Sequence, residues 1–185
     1  AKCNVGADSV HHYGNYYAWG EVEPKEVYDF STYKWMTSGM SSWKGINKYT
    51  IADGQTEGVW YDNSGNFIGD NKTTLDKEDD AAAVNMGGSW RMPTSAEQDE
   101  LRTKCTWTWT TLNGVNGYNI VGSNGNSIFL PVAGRRSNSD LYCAGSYGDY
   151  WSSSLYTDHS HCAYGLGFFL DYVNWFYDSR DFGRS

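Results

Sequence analysis

Residues Tyr150–Ser185 read YWSSSLYTDHSHCAYGLGFFLDYVNWFYDSRDFGRS. The middle of this stretch alternates with a period of two. Leu166, Phe168 and Leu170 fall on one face, and Gly165, Gly167 and Phe169 on the other. After a turn near Asp171, Val173 and Trp175 oppose Tyr172, Asn174 and Phe176. A strand sends successive side chains to opposite faces, so this spacing predicts two antiparallel strands joined by a tight turn. Trp151 and Trp175 are expected in the core.

Working back from the tail, GYNIVGSNGNSIFLPV (Gly117–Val132) reads as a hairpin turning at Asn124-Gly125, with IFLPV (Ile128–Val132) as a central buried strand. CTWTWTTL (Cys105–Leu112) alternates Trp107 and Trp109 with Thr, as a strand with one buried face does. Two helices precede it. Thr94-Ser95-Ala96-Glu97 is a capping box directly after Pro93, and predicts a helix running to about Lys104. Asp76 is expected to cap an earlier helix through Ala81–Val84, with Asp79 and Asp80 near its positive end and Gly87 as its stop. VWYDNSGNFIG (Val59–Gly69) predicts a hairpin, and YGNYYAWGE (Tyr13–Glu21) has no clean period and predicts an irregular loop with short strands. No linker or repeat is visible, so the expectation is a single α+β domain over residues 1–185, with two helices, antiparallel sheets and long loops.

The bulk numbers agree with a turn-rich β protein: 21 Gly, 3 Pro and 31 Phe, Trp and Tyr in 185 residues. The formal charge is −8 and the 14 Lys and Arg are scattered, which argues against a nucleic-acid partner. No apolar run is long enough to span a membrane, and no signal peptide is visible at Ala1. The four cysteines, Cys3, Cys105, Cys143 and Cys162, show no CxxC spacing. Their even number permits disulfides.

The tail is unusual in what it lacks. The chain holds 8 Lys, 7 Glu, 2 Gln and 4 Met, and every one precedes Arg135. Residues 135–185 nevertheless carry 13 of the 31 aromatics. Tyr, Ser, Gly and Asn dominate adaptable binding surfaces, whereas Lys and Glu are depleted at interface cores. A genetic route gives the same bias. Replacing the adenines of AAC or AAT codons at random yields Tyr, Asp, His, Ser, Cys, Gly, Phe, Asn, Arg and a few others, and never Lys, Glu, Gln, Met or Trp. A β-rich tail poor in helix formers explains the absence without either route.

The blocks NVGADSVHHYGNYYAWGEVEPK, DNKTTLDKEDDAAAVNMGGSWRMPTSAEQDEL, CTWTWTTLNGVNGYNIVGSNGNSIFLPVAG and YWSSSLYTDHSHCAY together resemble the Fibrobacter succinogenes major paralogous domain family. The resemblance covers nearly the whole chain and is most specific in GGSWRMPT and YWSSS. It implies a C-type-lectin-like fold, related to formylglycine-generating enzymes and shared with the variable proteins of diversity-generating retroelements. Adenine-directed mutagenesis there rewrites a C-terminal segment, expected here at 135–185, and the fold displays it. The implied location is extracellular or at the cell surface, lipoprotein-anchored or on a phage particle. The implied partner is a protein or glycan on another cell, with no nucleic acid and no direct membrane insertion. The alternative is a fixed-specificity adhesin or carbohydrate-binding module of a gut Bacteroidetes-type bacterium.

The expected ligand-binding residues are Arg136, Tyr142, Cys143, Tyr147, Asp149, Tyr156, Asp158, His159, His161, Cys162, Gly165, Gly167, Phe169, Tyr172, Phe176, Tyr177, Asp178, Ser179, Asp181 and Phe182. The scaffold between them is expected to be Trp151, Ser152, Ser153, Ser154, Ala163, Leu166, Phe168, Val173, Trp175 and Gly183. An enzyme of the formylglycine-generating type needs a reactive cysteine pair, and no matching motif is present, so no catalytic residue is expected. His159, His161 and Cys162 have ligand chemistry, but a diversified surface produces them readily, and no metal is expected there. The calcium-lectin motifs Glu-Pro-Asn, Gln-Pro-Asp and Trp-Asn-Asp are absent. Asp62–Asn66 reads as a plain turn, which leaves structural calcium as the one ion the fold invites.

Overall fold

A computed structural model describes residues 1–185. It is an α+β protein with two α-helices, α1 (Ala81–Met86) and α2 (Ser95–Lys104), and antiparallel sheets. Strands β1 (Thr106–Leu112), β2 (Val115–Val121) and β3 (Ser127–Pro131) form one sheet in that order. Strands β4 (Arg135–Ser137) and β5 (Asp140–Tyr142) form a small ribbon. Strands β6 (Gly148–Leu155), β7 (Cys162–Phe169) and β8 (Tyr172–Ser179) form the sheet that carries the tail. No helix is long and apolar enough to cross a membrane.

Local chemistry explains most of these elements. Thr94 Oγ1 accepts from Glu97 N–H, and the Glu97 carboxylate accepts from Thr94 N–H, so the expected capping box is complete. The start of α1 differs from expectation. Asp80, not Asp76, caps it by accepting from Ala83 N–H at 2.9 Å, because Lys77–Asp79 form a separate 3₁₀ turn. The Asp79 carboxylate turns inward instead, onto Lys34, Lys48 and the Tyr49 hydroxyl. Gly87 ends α1 at φ +69°, as expected.

The hairpin at Asn124-Gly125 forms, with Gly125 at φ +80°. Its second strand is not central, however. β3 is an edge of its sheet and Ile128 is exposed. Pro131 carried the signal, since a proline lacks the N–H that a central strand must donate.

The first 80 residues contain two three-residue 3₁₀ turns and isolated bridges, but no strand. Buried tyrosine hydroxyls do much of the bonding that a ladder would do. Tyr16 donates to Ala133 O, Tyr28 to Tyr16 O and Tyr33 to Trp19 O, each at 2.6 Å. Each bond satisfies a carbonyl that irregular backbone leaves open and lets a large apolar ring be buried with it. Tyr17 pairs with Arg184, so the start of the chain is laced to its end. Trp19 inserts under β6 and donates from its indole N–H to Ser152 O at 2.7 Å.

The β6–β8 sheet is anchored on both faces. Tyr150 and Phe168 pack against Tyr118 and Ile120 of β2, and Gln98 of α2 donates to Trp151 O at 3.1 Å. On the other face Trp151 packs among Trp19, Tyr49, Leu155 and Ala163. Of the expected scaffold, Trp151, Ser152, Ser153, Ala163, Leu166, Phe168 and Gly183 are buried, while Ser154 and Val173 are half-buried. Trp175 is not core: 49% of it is exposed. Leu170 is exposed too, because β7 ends at Phe169 and Leu170-Asp171 form the turn, with Asp171 at φ +61°.

Candidate ligand-binding faces

The register of β7 against β8 pairs Phe169 with Tyr172, Gly167 with Asn174, Gly165 with Phe176 and Ala163 with Asp178. Directly paired residues share a face. The alternate pairs, Tyr164 with Tyr177, Leu166 with Trp175 and Phe168 with Val173, lie on the opposite one. The expected single binding surface is therefore divided between two faces of one sheet. Tyr172, Phe176 and Asp178 belong to the first, and Tyr177 to the second.

On the first face three aromatic rings stack in a row. Tyr147 lies 5.7 Å from Phe169, and Phe169 lies 4.7 Å from Tyr172 with the rings 16° apart. Phe169 and Tyr172 are 40% and 42% exposed, so this row is open to a partner. The β4–β5 ribbon is tied to its Tyr147 end, because Gly134 N–H donates to Tyr147 O at 2.7 Å. The ribbon exposes Tyr142, while the Arg136 guanidinium sits over the Tyr16 ring at 5.3 Å and is partly used there. Cys143 is exposed in the turn that follows, at φ +57°.

Several expected contact residues on this face are its foundation instead. A Cβ on Gly165 would come within 2.3 Å of the Phe176 ring and 2.6 Å of Tyr150 O. A Cβ on Gly167 would come within 2.5 Å of the Tyr147 hydroxyl. Both glycines are floors on which those rings rest. Asp149 is buried and accepts from Arg184 Nε at 2.5 Å, while Arg184 Nη2 reaches Asp178 at 2.6 Å. The same guanidinium stacks on Trp151 at 3.9 Å and on Phe176 at 4.7 Å, which makes Phe176 half-buried packing. Burial raises the Asp149 carboxyl above its ordinary range, against the pull of Arg184.

Asp181 is also buried and raised by burial, with its carboxylate held by the Ser179 hydroxyl. Phe182 is half-buried against the Trp19–Trp151 cluster, and its carbonyl accepts from the Trp151 indole. Cys162 is buried, and burial pushes its thiol up to about 12. The four cysteines are free thiols. A nucleophilic role needs a thiolate, so Cys162 is chemically quiet at neutral pH.

The second face is an aromatic row that continues into the loop after β6. Tyr156 and Tyr177 stack in parallel at 4.0 Å. Tyr164 meets Tyr156 edge-on at 5.2 Å and Trp175 at 5.8 Å. In the other direction the row runs from Tyr156 through His159 and His161 to Trp43, with centroid spacings of 5.9, 5.4 and 5.2 Å. The Tyr156 hydroxyl donates to Asp158 at 2.9 Å, and that bond raises the phenol to about 12. Gln55 Nε2 lies 3.3 Å from His159 Nδ1. His161 is half-buried and its Nδ1 has no partner; burial, then the neighbouring His159, lowers its pKa. Asp53 ties the loop down by accepting from Ser160 N–H at 2.7 Å and from the Trp60 indole at 3.0 Å.

The expected residues thus include both faces but omit Tyr164, Trp175 and Trp43. Tyr164 continues the alternation of Leu166 and Phe168, and Trp175 shares a face with Tyr177, so both were findable from spacing. Trp43 is distant in sequence and gave no signal. The Asp62–Asn66 turn is a hairpin turn, as expected: Asp62 Oδ1 accepts from Ser64 and Asn66 N–H, and Oδ2 from the Asn66 amide. Nowhere do three or more His, Cys, Asp or Glu side chains gather in a metal-binding arrangement. No protein family, curated protein or solved structure matches this chain.

Proposed function

We propose that this protein is a ligand-binding display module with a C-type-lectin-like fold, whose C-terminal segment recognises a protein or glycan on another cell. The Tyr147–Phe169–Tyr172 stack carries the reading. It sets the exposed rings of Phe169 and Tyr172 side by side at the tip of the β7–β8 hairpin, backed by the half-buried Tyr147. Rigid aromatic rings contribute large contact area for little lost side-chain entropy. Asp178 and the β4–β5 ribbon add polar selectivity at the rim. Location at the cell surface or on a phage particle, and membership in the retroelement-diversified class, follow from the resemblance and belong to this proposal. The absence of catalysis is part of it as well.

The tight seats of Gly165 and Gly167 and the burial of Asp149, Cys162 and Asp181 favour a second reading, a surface adhesin of fixed specificity. Under diversification, those positions must stay nearly constant and variation must concentrate at Tyr142, Tyr147, Tyr156, Asp158, His159, Phe169, Tyr172 and Tyr177. The double variant Phe169→Ser/Tyr172→Ser tests the binding claim, scored on a glycan array and on arrayed intact bacterial cells. Loss of binding with a near-normal melting temperature supports it. Unchanged binding to every target that the parent protein recognises refutes it.

A further inference from the structure

The β4–β5 ribbon brings a cation to the first face. Arg135 pairs directly with Tyr142, so the two side chains leave the ribbon on the same side. Arg136 leaves it on the other side, over Tyr16. The Arg135 guanidinium lies over the Phe182 ring at 5.8 Å. Its charge is among those that act on Tyr147 and on buried Asp149, which sets it beside the Tyr147 end of the aromatic row. The neighbours of Ser185 lie with Arg136 instead. Asn4 and Ser185 bond to Tyr13 O, and Gly14 and Asn15 share a pocket with Arg136.

Arg135 differs from the other arginines in having no acceptor. Arg91, Arg102, Arg180 and Arg184 all donate to protein oxygens. Arg136 is spent on the Tyr16 ring. The two carboxylates nearest the face, Asp149 and Asp178, are both taken by Arg184. Arg135 is half-buried, and its Nε is packed away without a partner, so the two Nη groups are what it presents to solvent. A guanidinium held by packing and open at its end offers a carboxylate two parallel hydrogen bonds.

We infer that Arg135 is the charged anchor of this face and receives an Asp or Glu side chain of a protein ligand. The residues flanking that carboxylate are apolar and cover Tyr142 on one side and Phe169 and Tyr172 on the other. The inference rests on the first face being a binding surface. Exposed Tyr142, Phe169 and Tyr172 around one arginine match the composition of a protein-interface core, where aromatics and Arg are enriched. An acidic sugar fits less well. A sugar ring stacks on an open aromatic face, and here neighbouring rings turn their faces to each other, 16° and 28° apart.

The test uses the full chain and two blocked tripeptides, Tyr-Glu-Tyr and Tyr-Gln-Tyr, followed by NMR at the Arg135 side chain and the Phe169 ring. The expected result is saturable binding of the Glu peptide below roughly 10 mM, about fivefold tighter than the Gln peptide, with both signals moving together. Arg135→Gln should bind the two peptides equally, and Arg135→Lys, which keeps the charge but not the fork, should show an intermediate preference. Equal binding of the two peptides by the parent, binding of neither, or an undiminished preference in Arg135→Gln each overturns the inference. So does sodium glucuronate moving both signals while the Glu peptide moves neither, which would assign a sugar acid. A lower melting temperature in Arg135→Gln, with no Glu preference in the parent, would make Arg135 only a structural counter-charge to Asp149. The face itself is judged separately, by whether Phe169→Ser/Tyr172→Ser loses the targets that the parent protein binds on the arrays.

Discussion

Replacing Gly165 with Ala tests whether the tail's glycines are contact residues or foundation. The added methyl would stand 2.3 Å from the Phe176 ring and 2.6 Å from Tyr150 O. The ring can yield by turning, but the carbonyl belongs to β6, which pairs with β7 at Trp151–Gly165 and Tyr150–Leu166. Relief therefore requires strand movement. Overpacking of this kind costs about 1–3 kcal/mol, and a backbone clash lies in the upper part of that span. At about 2 kcal/mol, a chain of this size should melt roughly 4–8 °C lower. Differential scanning calorimetry with chemical denaturation as a check reads this directly. Adding Phe176→Leu should recover part of the loss, because one of the two clashes is with that ring, and the two changes should not add. A Gly165→Ala protein within about 0.5 kcal/mol of the parent would refute the reasoning, since surface changes fall in that range.

Three further outcomes follow from other parts of the structure. Thr94→Ala should destabilise the protein by about 1 kcal/mol in urea unfolding, because it removes one half of the capping box of α2. Bonding to Arg91, and then to Thr94 N–H, holds the Glu97 carboxyl down to about 2, below its ordinary 4.5. A depressed carboxylate stabilises the fold above its unfolded pKa and loses that contribution as pH falls toward the folded value. Glu97→Gln should therefore reduce stability at neutral pH and flatten its fall between about pH 4.5 and 2, in melting temperatures taken across that range. Titration of the folded protein with a chromogenic disulfide at neutral pH should label the exposed Cys143 quickly, while the buried Cys162 reacts after denaturation. Rapid labelling of Cys162 in the native state would contradict its position.

The fold was legible where a rule acts locally. Thr94 and Glu97 form a bonded pair three residues apart, and Asn124-Gly125 makes a turn without help from elsewhere. The period of two in Gly165–Phe176 announced β7 and β8 correctly. It failed at Trp175 because alternation says which residues share a face, not how far the neighbouring layer reaches. Val173 is under cover and Trp175, two residues on, is beyond it. The first 80 residues resisted reading for a different cause. Their order comes from tyrosine hydroxyls bonding distant carbonyls, such as Tyr16 to Ala133, and such bonds leave no periodic trace. Among the candidate site residues, composition found the right segment but could not separate rim from floor. Asp149 and Asp178 look alike in sequence, yet Asp149 is buried against Arg184 and Asp178 stands at the edge of the face. Asp76 was expected to cap α1, but the 3₁₀ turn at Lys77–Asp79 sets Asp80 in front of the helix instead.

The most direct test of the central claim is deep sequencing of the coding locus in a clonal population and its relatives. The account predicts a near-identical repeat of the 3′ segment beside a reverse-transcriptase gene, with differences confined to its adenines. Those differences should appear in the codons for exposed positions such as Tyr142, Phe169, Tyr172 and Tyr177, and be rare at Asp149, Cys162, Gly165, Gly167 and Asp181. An invariant tail with no repeat would contradict diversification and leave a fixed adhesin. Free variation at Gly165 and Asp149 would contradict the division of the tail into display residues and foundation.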